Sequence, residues 1–202
     1  MNENRNSKSG IVDSKLELVR SDDSSRYNGG RTSGHPLEAT MDQTADMGRE
    51  LLRHAVATVA YRGGKALRGA PESFATFRIG EATRAPAKLV AHMGDLFDWA
   101  LSMSKGKQVW KDSEPLTWDQ EVERFFGTLK AFDEYLATSE PLHCKIEKLM
   151  QGPVADALTH VGQLAMLRRV AGTPIRSENY SVAEIAAGRT GAQQNAAGRE
   201  FD

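Results

Sequence analysis

The chain has 202 residues, of which 40% are hydrophobic and 26% charged, and its formal net charge is −1. This balance suits one folded domain with tails, and the near-zero charge gives no electrostatic argument for nucleic-acid binding. The single cysteine, Cys144, excludes an internal disulfide and fits a reducing compartment. The sequence contains no apolar run of the roughly 20 residues that span a membrane and no apolar signal region at its start. We therefore expect a cytoplasmic protein.

Both ends of the sequence differ in composition from its middle. Residues 1–40 are rich in Ser, Asn, Asp, Arg and Gly and have no periodic apolar face. Such a segment buries too little surface to offset its ordering entropy, which predicts a disordered N-terminal tail. Residues 176–202 are polar and rich in Gly and Ala. They are predicted to form an extended C-terminal segment that lies over the core or is partly disordered, which leaves residues 41–175 as the folded domain.

Four segments of this domain repeat apolar residues with a helical period. Helix one is predicted from Thr44 to Leu67 and helix two from Pro86 to Met103. Helix three follows the N-cap Thr117, and helix four runs from Pro153 to about Gly172, after a short helix around residues 146–150. Proline suits the first turn of a helix and glycine its C-terminal end. With no strand pattern in the sequence, we predict an all-α fold, a four-helix bundle with antiparallel neighbours.

The apolar faces of helices two and four contain polar residues, whereas those of helices one and three do not. His92 shares its face with Leu89 and Leu96, and Asp156 and His160 share theirs with Leu164. Burying such groups is costly unless they are paired or bind a metal. Two hypotheses follow: the three side chains hold one ion, or they satisfy one another by hydrogen bonds within the core.

The spacing on helix four favours the metal hypothesis. Asp156 and His160 are four residues apart, so they lie one helical turn apart on the same face. His92 on a facing helix would complete a set of two histidines and one carboxylate. Three protein ligands leave coordination positions open for water or a substrate, as in a reactive site. Two imidazoles favour Zn²⁺, Ni²⁺ or Fe²⁺ over Mg²⁺ or Ca²⁺.

Two stretches of the sequence resemble the motifs of the DinB-like superfamily, which includes the DinB and YfiT-like proteins. They are PAKLVAHMGDL (Pro86–Leu96) and THVGQL (Thr159–Leu164), the second followed by LRRVAGTP (Leu167–Pro174). The resemblance implies a four-helix bundle of the up-down-down-up type, with His92, Asp156 and His160 as metal ligands. The common family pattern has histidine where this chain has Asp156. The N-terminal domain of mycothiol-dependent maleylpyruvate isomerases is also similar and has a carboxylate at that position.

The resemblance also implies a function. Superfamily members with open metal sites include transferases that use a low-molecular-weight thiol such as bacillithiol or mycothiol, and this is the activity we predict. The alternatives are a non-catalytic metal-binding stress protein and a dimeric interaction module in which the three polar groups satisfy one another. We also predict a homodimer, because related proteins pair through helix faces and helix one offers small residues. Those residues are Ala55, Ala57, Ala60, Gly63 and Gly64.

The remaining polar residues have weaker assignments. Asp95 and Gln163 are predicted to support the metal ligands, and Asp95 either accepts a hydrogen bond from a ligand histidine or faces solvent. His54 lies opposite the apolar face of helix one and is predicted to be exposed, as is the pair His143 and Cys144. The three tryptophans are predicted to fill the core and the space between helices. They are Trp99, Trp110 and Trp118.

Overall fold

The structure, a computed structural model, describes the backbone of residues 36–201 and the side chains of residues 46–201. The predicted disorder of the N-terminal tail therefore lies almost wholly outside the described residues. The described chain is mostly helical, as predicted. Its helices are α1 (Pro36–Leu67), α2 (Pro86–Ser104), α3 (Trp118–Leu136), α4 (Ile146–Leu149) and α5 (Ala155–Val170), with 3-10 turns at Glu72–Thr76 and Tyr180–Val182.

Helix α1 begins eight residues before the predicted Thr44, at Pro36. The prediction followed the apolar face, which starts only at Leu52, but no further proline or glycine interrupts the chain before Gly48. Proline is well suited to the first turn of a helix because its missing N–H would have no partner there. Gly63 does not end the helix. It admits the ring of Phe125, whose Cζ would lie 3.0 Å from a Cβ at that position.

The fourth predicted helix begins earlier than Pro153. Helix α4 starts at Ile146 and continues through a π turn at Met150–Val154 into α5. Pro153 therefore lies inside a continuous helical segment. Proline lacks the N–H for the regular hydrogen bond and its ring clashes with the preceding turn, and the wider π turn relieves both problems.

Helices α1, α2, α3 and α5 pack so that each contacts two others. Helix α2 lies against α3 and α5, and α1 lies against the same two helices. Their shared core contains a cluster of aromatic rings from α2 and α3, namely Phe97, Phe125 and Phe132. Burial of apolar surface of this kind is the main stabilising contribution to the fold. No helix in the described part of the chain is both long and apolar enough to cross a membrane.

The C-terminal segment contains the one departure from an all-α fold that the described residues show. Strand β1 (Ser177–Glu178) pairs antiparallel with β2 (Glu200–Phe201). The segment is fastened to α1 through Glu178, whose carboxylate accepts hydrogen bonds from the Tyr61 hydroxyl at 2.6 Å and the Lys65 ammonium at 2.7 Å. It is therefore a strap that lies against α1, the first of the two alternatives offered for this segment. Two-residue strands carry too short an alternation for a sequence pattern to reveal them.

Candidate metal centre

Helices α2 and α5 bring together the three side chains that the sequence singled out. His92 projects from the middle of α2, and Asp156 and His160 project from consecutive turns of α5. The Asp156 carboxylate lies between the imidazoles, with Oδ2 3.4 Å from His92 Nε2 and Oδ1 3.3 Å from His160 Nε2. One ligand atom from each residue lies within 4.8 Å of those of the other two. The predicted convergence is therefore confirmed, and the group has the composition of a metal site.

A hydrogen bond between His160 and Gln163 determines which nitrogen of the His160 ring carries the proton. His160 Nδ1 lies 2.8 Å from Oε1 of Gln163. An amide oxygen can only accept, so Nδ1 carries the ring proton and donates it. In the neutral ring, Nε2 then presents a lone pair toward a negatively charged carboxylate oxygen. This contact is repulsive unless a cation, either a proton or a metal ion, lies between the two atoms.

The distances fit a metal ion well. A tetrahedral ion with bonds of about 2.0–2.1 Å places its ligand atoms roughly 3.3 Å apart. Asp156 Oδ1 lies 3.3 Å from His160 Nε2, and its other oxygen, Oδ2, lies 3.4 Å from His92 Nε2, so each contact by itself is close to that spacing. Both contacts are long for charge-assisted hydrogen bonds, which are usually about 2.7–2.9 Å. The residues present thus suit a divalent ion better than they suit a self-contained hydrogen-bonded triad.

Burial differs among the three residues and leaves the group open on one side. The side chains of His160 and His92 are 9% and 17% exposed, whereas that of Asp156 is 45% exposed. Burial is the main cause of a lowered pKa at His92, and the like charge of His160 adds to it, while Asp156 opposes the shift. A lowered pKa keeps the His92 imidazole neutral at neutral pH, which is the form that can bind a metal.

Gln163 supports the ligand group through its hydrogen bond with His160, as predicted. Asp95 does not, because its hydrogen bonds are with Ser113 and Arg124 and not with a ligand histidine. Its side chain is 1% exposed, so the alternative of a solvent-facing acid is wrong as well. The carboxylate accepts from the Ser113 backbone at 2.8 Å, from the Ser113 hydroxyl at 2.7 Å and from Arg124. Arg124 also pairs with the buried Glu121 at 3.3 Å. We call Asp95, Glu121 and Arg124 the ionic clamp.

Sequence reasoning missed the ionic clamp. Glu121 lies in the first turn of α3, where an acid is usually exposed, yet it is fully buried and accepts from the Leu116 backbone at 2.8 Å. Its position four residues before Phe125 was a usable signal, because that spacing places both on one face. Gly94 was a second signal. A Cβ there would lie 3.1 Å from the Arg124 guanidinium carbon, so the glycine lets Arg124 cross α2.

The long connection between α2 and α3 is tied back along α2 at three levels. Ser102, Asp98 and Asp95 hold it in turn. The Val109 backbone donates to Ser102 Oγ at 3.2 Å, Lys111 Nζ lies 3.0 Å from Asp98 Oδ2, and Ser113 is bound by Asp95 as above. This path places Trp110 beside the metal group, with its ring centroid 5.5 Å from that of His92. Trp110 is 45% exposed, so the prediction that it fills the core is wrong.

Two open clefts flank the three ligands. The first, of about 440 Å³, borders His92 and Asp156 and is otherwise lined by Leu96, Trp99, Gln108 and Trp110. The second, of about 320 Å³, borders His160. Its other lining residues are Ile79, Thr83, Arg84, Leu89, Gln163, Met166 and Leu167. The ligand group is therefore reachable by small molecules from two sides.

The other candidates lie outside this centre. His54 and His143 are exposed, as predicted. Cys144 is half-buried, and burial raises the pKa of its thiol, although Ser104 opposes the shift. Arg168 is buried and donates to the carbonyls of Ala66 and Arg68 at 3.1 and 3.2 Å. It caps the end of α1, so its role is structural.

Comparisons of the chain with protein-family models, with curated proteins and with solved structures gave no significant match. Membership of the DinB-like superfamily therefore stays a prediction that rests on the two sequence motifs. The geometry of the ligand group stands independently of it.

Proposed function

We propose that this protein binds one divalent transition-metal ion through His92, Asp156 and His160 and uses it to transfer a low-molecular-weight thiol to an electrophile. The proposal includes a four-helix bundle of the DinB-like, up-down-down-up type. In support, α1, α2, α3 and α5 each contact two others in a closed ring, and the consecutive helices α1 and α2 do not form a packed pair within it.

One observation carries the metal assignment. His160 Nε2 faces the Asp156 carboxylate as an acceptor, because Gln163 holds the ring proton on Nδ1. Among the described residues, the ion pairs of Asp156 are with the two histidines alone, and no lysine or arginine neutralises it. The His160 lone pair and the Asp156 carboxylate therefore favour a cation between them, and His92 Nε2, 3.4 Å from Asp156 Oδ2, offers a third ligand atom. Two imidazoles and one carboxylate favour Zn²⁺, Ni²⁺ or Fe²⁺ over the hard ions Mg²⁺ and Ca²⁺.

A bound ion of this kind supplies positive charge that stabilises a thiolate at neutral pH. The side chains of the chain do the rest. His92 and His160 hold the ion from the buried side, Gln163 fixes the ring of His160, and the exposed edge at Asp156 leaves room for the small thiol. In the overall reaction a carbon–sulfur bond forms, the bond from that carbon to its leaving group breaks, and the thiol proton passes to solvent.

The chain's own cysteine is unsuited to act as the nucleophile. Cys144 lies beside Ser104, which is twelve residues from His92 along α2. At a rise of 1.5 Å per residue, Ser104 and His92 are about 18 Å apart along the helix axis. Its raised pKa also keeps it in the unreactive thiol form. The sulfur must therefore arrive with a small molecule, which is the reason for preferring a thiol transferase over an enzyme with a covalent cysteine intermediate.

The test begins with metal content. Wild-type protein, His160→Ala and the exposed-histidine control His54→Ala are purified in parallel and their metals measured by elemental analysis. We expect close to one transition-metal ion per chain in wild type and the control, and none in His160→Ala. A wild-type protein that binds no metal under titration with Zn²⁺, Ni²⁺ and Fe²⁺ would end the metal assignment and favour the interaction module.

The second stage tests transfer. Metal-loaded protein is incubated with cysteine as the thiol and 1-chloro-2,4-dinitrobenzene as the electrophile, so that a carbon–sulfur bond forms and chloride leaves. Turnover above the uncatalysed rate, lost with a chelator and in His160→Ala, supports the transferase. Metal binding without turnover for cysteine, bacillithiol and mycothiol would leave the non-catalytic metal-binding protein as the function.

A homodimer remains part of the proposal, but the small residues of α1 do not support it. Ala57 and Ala60 are buried within the chain, and Gly63 and Gly64 lie against Phe125 and Phe126. Their close packing serves the fold of the single chain. Light scattering at micromolar concentration tests the dimer directly, and a monomer mass would reject it.

A further inference from the structure

The cleft beside His92 is lined by two tryptophan rings. Trp99 and Trp110 stand edge to face, with ring centroids 5.7 Å apart and an interplanar angle of 86°. Leu96 adds an apolar surface, and Gln108 contributes the cleft's one neutral amide. Asp156 and His92 form the inner end. The cleft therefore combines flat aromatic surface with direct access to two of the three ligands.

Trp110 is exposed, although hydrogen bonds anchor the residues on both sides of it. The residues on either side of it are anchored, Val109 to Ser102 and Lys111 to Asp98, and the ionic clamp holds Ser113. Its own ring contacts His92 and Trp99 on one side and leaves 45% of the residue open. A tryptophan that only covered the apolar face of α2 would gain more by lying flat on it. The exposed part of the ring beside His92 is instead available for stacking.

The charge of the lining restricts the ligand. The described residues that line this cleft include no lysine or arginine, and Asp156 carries a negative charge. A phosphate or other polyanion would find no counter-charge on the protein. Aromatic rings prefer the faces and edges of other rings and gain roughly 0.5–1.5 kcal/mol from such contacts. The second cleft differs, because it contains Arg84 and has no tryptophan, tyrosine or phenylalanine in its lining.

We propose that the cleft formed by Leu96, Trp99, Gln108 and Trp110 binds an aromatic small molecule that coordinates the metal through an anionic donor atom. This inference rests on the proposed metal site and adds the class of substrate to it. The ring would stack against Trp110, and the donor atom would reach the three ligand residues at their exposed edge, near Asp156. Trp110 thus determines specificity, and the ionic clamp is a set of positioning residues that hold the loop carrying it.

The test compares two probes with the same chelating group. Benzohydroxamate carries an aromatic ring and acetohydroxamate a methyl group, and both are titrated by calorimetry into zinc-loaded wild-type protein. We expect benzohydroxamate to bind at least about tenfold more tightly, which corresponds to roughly 1.4 kcal/mol. Neither probe should bind the metal-free protein comparably. Equal affinities for the two probes, or equal binding of benzohydroxamate without metal, would overturn the inference.

Variants of Trp110 locate the effect. Trp110→Ala and Trp110→Leu should lose the preference for the ring while keeping the zinc affinity of wild type, and Trp110→Phe should keep most of the preference. Val109→Ala is the matched control on the same loop and should behave as wild type. A preference that persists in both Trp110→Ala and Trp110→Leu would show that the ring binds elsewhere, for instance in the cleft beside His160, and would overturn the inference.

The zinc titration that precedes the probes separates the two proposals. If wild-type protein fails to bind zinc, nickel or iron, the proposed function fails and this inference falls with it. If zinc binds with the ligand dependence described above but the ring preference is missing, the inference alone is wrong.

Discussion

Two polar clusters begin on neighbouring turns of α2, and they differ in whether the chain supplies a cation to neutralise their carboxylates. The ionic clamp begins at Asp95, and the candidate metal centre begins three residues earlier at His92. In the clamp, the chain brings its own cation, because Arg124 pairs with Asp95 and with Glu121. In the metal centre, Asp156 faces two imidazoles and no guanidinium or ammonium group.

The difference separates a structural cluster from a functional one. Every carboxylate of the clamp is buried and its oxygens accept from Arg124, Ser113 or the Leu116 backbone. Such a cluster is complete, and it orders the loop between α2 and α3. The candidate metal centre differs, since no lysine or arginine of the described residues pairs with Asp156, which contacts only the two imidazoles, at 3.3 and 3.4 Å. This difference is the basis of the metal proposal, because the group is open to solvent at Asp156 and has no cationic side chain of its own.

The largest expected effect comes from removing the cation of the clamp. Arg124→Leu leaves Asp95 and Glu121 buried without a counter-charge, and breaking a buried pair in this way costs about 3–5 kcal/mol. We expect the free energy of unfolding, measured by urea titration, to fall by that amount. The control is Lys130→Leu on the same helix, which removes an exposed pair with Glu134 and should change stability by about 0.5 kcal/mol or less. A loss below about 1 kcal/mol in Arg124→Leu would contradict the assigned role of the clamp.

Removing a proposed metal ligand should affect metal affinity strongly and the stability of the metal-free protein little. Asp156→Ala is expected to weaken metal binding at least about a hundredfold, or about 2.7 kcal/mol, because only three protein ligands hold the ion. The metal-free protein should hardly change in stability, since the carboxylate is half exposed and its contacts with the two imidazoles, at 3.3 and 3.4 Å, are long for charge-assisted hydrogen bonds. Calorimetric metal titration and urea unfolding measure the two quantities, with the exposed acid Glu134→Ala as the control. If Asp156→Ala instead unfolds the metal-free chain, the group is structural.

A smaller effect is expected at Gln163. Replacing it with Met keeps the size of the side chain but removes the oxygen that accepts from His160 Nδ1. Supporting residues of this kind typically change metal affinity 10–100-fold, and we expect a loss of about tenfold. Thr159→Ala, an exposed neighbour on α5, serves as the control. Unchanged affinity in Gln163→Met would mean that the ring of His160 is oriented by its packing alone.

The smallest expected effect concerns pH and the strap. Burial raises the pKa of Glu178, but the hydrogen bonds from Lys65 and Tyr61 outweigh it, so the pKa is lowered overall. Because the folded carboxyl holds its proton less tightly than the unfolded one, its contribution to stability is present above the unfolded pKa of about 4.3. It is lost as the pH falls through the lower folded value. Glu178→Gln should therefore lose less stability than wild type between pH 6 and pH 3 in urea titrations. Parallel pH profiles for the two proteins would show that the strap does not depend on this ionisation.

Much of the fold could be predicted because the helices carry strong periodic signals. Leu52, Val56 and Val59 are buried as the period required, and α2 and α3 begin at the predicted residues Pro86 and Trp118. The misplaced start of the last helix has a physical reason. Proline usually marks a first turn, but a π turn can absorb Pro153 inside a helix, and no local pattern distinguishes the two cases.

For the candidate site too, local spacing predicted some features and tertiary packing decided the others. The sequence by itself determined that Asp156 and His160 share one face of a helix, since a spacing of four residues has that consequence in any helix. It also marked His92 as a polar residue on an apolar face. Only the tertiary structure decided that the three meet around one point, that Gln163 directs the lone pair of His160 toward Asp156, and that Asp95 belongs to the ionic clamp. These features depend on contacts between residues far apart in the chain, whose distances follow from how α2, α3 and α5 pack and not from any local spacing.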